Sequence, residues 1–154
     1  MQVDILIPES GPLQYLVEHD ALQLLSQTGV VHMPDLVAMS LIRKGIPGAG
    51  NMHQWLLGGR QVGTVCCDDT PVGEALRLAG MSAPNYDLMD ETNRACRLWL
   101  LEQLEAAPDF FMILYENPEL AAIARNHDPD LAEKMITAEY FLAMCIKIGV
   151  TARP

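Results

Sequence analysis

Val3-Asp4-Ile5-Leu6-Ile7-Pro8-Glu9-Ser10-Gly11-Pro12-Leu13 is the stretch on which the fold turns. A short apolar run ends in a carboxylate, and Ser-Gly-Pro then leads into an amphipathic segment. The pattern predicts a buried strand over 3–7, a turn, and a helix over 12–18. Glu9 is thereby set at the carboxyl end of a strand, where open α/β sheets bind their ligands.

The same alternation continues outward. A second helix is expected over 20–27, with Asp20 as its N-cap and Gly29 as its stop. Val30 to Met33 reads as a strand, Pro34 opens a helix that continues over 36–43, and 45–50 is a loop with three glycines. That loop lacks the Gly-Lys-Ser/Thr ending of a P-loop and the spacing of a dinucleotide fingerprint. Residues 52–57 read as helix, 61–67 as a third strand, 68–71 as a turn and 72–79 as helix. After an irregular 80–88, a long helix runs from Asp90 to Ala106. Residues 110–115 form a fourth strand that ends in Glu116-Asn117-Pro118. Helix over 119–125, a fifth strand over 134–136, and a last helix capped by Thr137 and stopped by Gly149 complete the series. Strands alternating with helices predict an α/β fold: a three-layer α/β/α sandwich around a mostly parallel sheet of about five strands.

Composition narrows the class. The chain has 154 residues, 50% of them hydrophobic and 19% charged, which suits one globular domain over 1–154. Its formal net charge is −10. Proteins that coat nucleic acid through phosphate neutralisation are usually basic, so broad electrostatic binding is excluded. A local basic rim from Arg43, Lys44 and Arg60, or contact through a metal, stays open. Cys66, Cys67, Cys96 and Cys145 form no CxxC pair and sit mostly in apolar runs, so reduced, largely buried thiols and a cytoplasmic protein are expected. The first residues, with Asp4 and no basic run, are not expected to act as a signal peptide, and no apolar run is long enough to span a bilayer. His19, His32, His53 and His127 are scattered and predict surface or packing roles. The apolar excess in so small a domain hints at a homodimer.

Acids mark the strand ends: Glu9 after the first strand, Glu116 after the fourth, and Asp87, Asp90 and Glu91 before the long helix. If the first and fourth strands are neighbours, these groups can converge. Clustered carboxylates repel unless they share a proton or a cation. Mg²⁺ or Mn²⁺, hard cations that take oxygen ligands, resolve that repulsion and can activate water for phosphoryl displacement. The plain alternative is that Asp90 and Glu91 favour a helix dipole and Glu116 belongs to a turn.

The ordered segments Ile5 to Leu13, Asp20 to Leu25, Met33 to Val37, Ile113 to Leu120 and Ile136 to Leu142 together resemble a PIN domain. The resemblance spans nearly the whole chain and is loosest over 45–90. It implies an α/β/α sandwich and, for many members, a Mg²⁺- or Mn²⁺-dependent ribonuclease, toxins of toxin–antitoxin pairs among them. It implies Glu9, Glu91 and Glu116 as metal ligands and catalytic residues. Ser10, Ser40, Asp87, Asp90, Asn117 and Thr137 would be their neighbours. The family commonly has a Glu where Ser40 stands and an acidic pair where Glu116-Asn117 stands. At the start of the long helix its acid falls on Glu91 or, with a shift of two residues, on Asn93. Two functions follow from the resemblance. One is a PIN-type ribonuclease with an RNA substrate and an antitoxin-like protein partner. The other is a degenerate PIN fold kept as a binding or assembly module. A regulatory phosphoacceptor domain built on Asp68-Asp69 would need a Lys after a late strand, which the sequence lacks in the right place.

Overall fold

A computed structural model describes residues 3–41, 48–81, 89–106 and 111–149. Its strands are β1 (Val3–Leu6), β2 (Gly29–Pro34), β3 (Val65–Asp68), β4 (Phe111–Tyr115) and β5 (Met135–Thr137). The helices are α1 (Gly11–Glu18), α2 (Gln23–Thr28), α3 (Asp35–Leu41), α4 (Ala49–Val62), α5 (Pro71–Leu78), α6 (Met89–Ala106), α7 (Pro118–His127) and α8 (Ala138–Lys147). A 3₁₀ turn, Pro129–Lys134, leads into β5.

All four strand pairings are parallel, in the order β3-β2-β1-β4-β5. The expected three-layer α/β/α sandwich is therefore what the chain forms. Period-two alternation sends Ile5 and Leu6 of β1 into different cores. Ile5, Val31, Met33 and Val65 pack with Leu13, Leu24, Leu56 and Phe141 of the helices on one face. Leu6 and Ile113 pack on the other face with Trp99, Leu100 and Leu104 of α6 and Leu120 of α7. Among the described residues no helix is long and apolar enough to cross a membrane.

Several boundaries move. The third strand starts at Val65, because Gln61 and Val62 are the last turn of α4. Gly63 ends that helix at φ +83°, with its N–H donating to Gly59 O. A left-handed residue just past a helix is the usual stop, and only glycine adopts it without steric cost. Gly59 faces inward, and a Cβ there would collide with the Val65 side chain, so α4 lies directly on β3. The second helix starts at Gln23, not at residue 20. Asp20 is not its N-cap; it takes φ +54° in the turn after α1, a conformation that Asp tolerates better than most residues. In the glycine-rich 45–50, residues Ala49 and Gly50 already belong to α4, and 45–47 lie outside the described residues. Arg43 and Lys44 do too. Thr137 does cap α8: its Oγ1 accepts from Tyr140 N at 3.1 Å.

A buried carboxylate ties the start of α3 to the segment after β3. Asp35, 5% exposed, accepts from Thr70 Oγ1 (2.8 Å), Thr70 N (3.2 Å) and Arg77 (2.8 Å). Thr70 in turn caps α5 by accepting from Gly73 N at 3.0 Å. A buried charge persists only when it is paired and hydrogen-bonded, and each acceptor position here has a donor.

Candidate functional site

The chain leaves β1 toward β2 on one side and leaves β4 toward β5 on the other. The carboxyl ends of β1 and β4 therefore form the switch point of the sheet, the crevice where such folds bind ligands. A cavity of about 180 Å³ lies there. Glu9 and Ser10 enter it from the segment after β1, Ser40 from α3, Thr92, Asn93, Cys96 and Arg97 from α6, and Asn117 from the turn after β4.

Glu9 is anchored across the switch point. Its Oε2 accepts from the backbone N–H of Glu116 (2.8 Å) and of Asn117 (3.0 Å). These bonds form because Pro118 opens α7, leaving the two preceding amides free of a ladder or helix partner. Asn117 is the N-cap of α7, its Oδ1 accepting from Glu119 N at 3.0 Å. The Ser40 hydroxyl donates to Leu36 O of its own helix at 2.9 Å. Arg97 is paired with Glu119 at the rim.

Thr92 and Cys96 form the inner wall. Thr92 is 6% exposed, and its Oγ1 is buried with no hydrogen-bond partner among the described residues. Burial, with the charges of Asp35 and Glu9 adding to it, pushes the Cys96 thiol up to about 12. Cys96 is thus a protonated wall residue at neutral pH, not a nucleophile, since the thiolate is the reactive form.

The residues expected to act together are distributed over three places. Glu9, Ser10, Ser40 and Asn117 share the switch-point cleft. Glu116 turns the other way: its carboxylate lies against Gly11, and with Thr137 and Tyr15 it lines a separate cavity. Glu91 lines a cavity between α5 and α6. Asp90 is exposed at the start of α6, and Asp87 lies outside the described residues. Among the described residues no group of three or more His, Cys, Asp and Glu side chains stands close enough to hold a metal ion.

The geometry of α6 explains the position of Glu91. At 3.6 residues per turn, a shift of two residues rotates a side chain by about 200°. Glu91 and Asn93 therefore face nearly opposite ways, and Asn93 is the one in the cleft. Sequence reading also passed over Thr92, Cys96 and Arg97. Their signal was present as spacing: Met89, Thr92, Asn93, Cys96 and Arg97 recur at i, i+3, i+4, i+7 and i+8, one face of a helix. The four cysteines are free, Cys96 and Cys145 buried as expected, Cys66 and Cys67 only half-buried. Of the histidines, His32 pairs with Asp4 across β1 and β2 at 2.9 Å.

Set against family models, curated proteins and solved structures, the chain matches none.

Proposed function

We propose that the chain is a PIN-like binding or assembly module whose switch-point cleft takes a hydrogen-bonding ligand without hydrolysing it. One observation carries this reading. Of the positions at which the PIN resemblance expects acids, Glu9, Ser40 and Asn117, with Asn93 when the long helix is shifted by two residues, line a single cleft in which only Glu9 is a carboxylate, while Glu91 and Glu116 line other cavities. Glu9 has already spent one oxygen on two backbone amides. One carboxylate with hydroxyls and amides is a poor substitute for the several charged oxygens that a divalent cation needs. Hydroxyls, amides and a thiol do make a good polar lining for a neutral partner group. A lone carboxylate in a chain of net charge −10 also disfavours a polyphosphate ligand, which points to a protein segment or small polar molecule rather than RNA. The reduced thiols fit a cytoplasmic setting.

A cleavage assay separates this reading from the Mg²⁺- or Mn²⁺-dependent ribonuclease. Purified protein incubated with single-stranded RNA and either cation is expected to leave the RNA intact. Cleavage that EDTA stops and Glu9→Gln abolishes would establish the nuclease instead.

A further inference from the structure

A groove runs between α5 and α6, away from the switch-point cleft. Two cavities of about 250 and 380 Å³ open along it and share Pro71, Val72 and Glu91. Its floor is apolar: Val72, Ala75, Ala95, Leu98 and Trp99. Leu98 of α6 is 55% exposed. Trp99 forms the bottom of the floor from within the core: it is 3% exposed, and its indole N–H donates to Asp68 Oδ2 at 2.8 Å.

The rim has a definite sign. Glu91 stands at one end, Glu102 at the other and Asp69 across from them, against one cation, Arg94. Asp69 is engaged by Arg77 at 3.3 Å, while Glu91 and Glu102 enter no ion pair among the described residues. On α6 these two glutamates are separated by three turns, about 16 Å along the axis.

We infer that this groove docks a basic amphipathic helix of a partner protein. An apolar stripe at i, i+3, i+4 and i+7 would fill the floor, and Lys or Arg at either end would meet Glu91 and Glu102. Complementary charge selects that occupant. A second copy of this chain fits the rim poorly, because it too carries net charge −10. The inference is independent of what the switch-point cleft binds.

The probe is a synthetic helical peptide of about 14 residues with leucines at i, i+3, i+4 and i+7 and lysines at both ends; its control carries glutamates in place of the lysines. Fluorescence anisotropy measures affinity for the whole chain, and amide chemical shifts locate the contact. The lysine peptide is expected to bind saturably at physiological salt and to shift residues of α5 and α6. Leu98→Asp should weaken it by about tenfold or more, as should Glu91→Lys combined with Glu102→Lys. The doubly reversed variant should gain affinity for the glutamate peptide. Absence of saturation, shifts confined to other elements, or binding indifferent to Leu98→Asp would overturn the inference. So would a concentration-dependent dimer of the parent chain that Leu98→Asp dissociates, since the groove would then belong to a second copy.

Discussion

Thr92 buries a hydroxyl with no partner among the described residues, and an unsatisfied buried polar group costs about 1–3 kcal/mol. Thr92→Val keeps the shape and removes the polar atom. It is expected to stabilise the chain by about 1 kcal/mol, a rise of about 3 °C in the thermal midpoint. Scanning calorimetry checks this, and a lower midpoint would mean that the hydroxyl has a native partner. Cys96 makes a second residue-scale prediction. Its folded-state value is raised to about 12 from the ordinary 9.0. The folded chain therefore holds that proton more tightly than the unfolded one. The resulting stability is complete below about pH 9 and is lost as pH rises toward 12. Cys96→Ala should flatten the alkaline decline in unfolding free energy measured by denaturant titration. A decline as steep as the parent's would contradict the assignment. How residues group was only half legible at this scale. Glu9 was found from a strand end, and Ser40 and Asn117 only through the PIN resemblance. Thr92 was not, because a threonine within a helix shows in the sequence neither its burial nor its lack of a partner.

Helix–strand contact governs the middle scale. Gly59 allows α4 to lie on Val65 of β3, where an added methyl has no room. Gly59→Ala is expected to lose about 1–3 kcal/mol despite the better helix propensity of alanine. Combining it with Val65→Ala should recover part of that loss, because the two side chains compete for one space. Urea midpoints of the single and double variants measure the coupling, and strictly additive losses would mean that the contact is absent. The same element shows what sequence periodicity lost. Gln61-Val62 preceding Gly63 resembles the start of a strand, and only a left-handed Gly63 makes it the end of a helix. The remaining strands, β1, β2, β4 and β5, were readable to within one residue at each end. Each is a short apolar run bounded by Pro, Gly or a cap, and parallel strands buried on both faces leave that trace. The reach of α4 was obscured by Gly58 and Gly59, which read as loop residues until the packing against β3 is known.

Over the whole molecule, the sheet order decides which chemistry is available. Placing β1 beside β4 brings the segments after them together, the condition on which convergence of their acids depended. Pairing alone does not aim side chains, however. Glu9 turns into the crevice, Glu116 turns onto Gly11, and Glu91 sits on the far side of α6. The sequence shows where carboxylates lie along the chain. Their direction depends on helix phase and on which backbone amides stand free, and both arise only in the fold. The central proposal is that the switch-point cleft stands where the PIN resemblance implies a metal site but lacks the charge to hold a cation. Restoring Ser40→Glu, Asn93→Asp and Asn117→Asp tests it, and Asp at position 117 can still cap α7. Calorimetric titration with Mn²⁺ should give no binding heat for the parent chain and saturable one-site binding for the triple variant. Saturable Mn²⁺ binding by the parent, abolished by Glu9→Gln, would contradict the account.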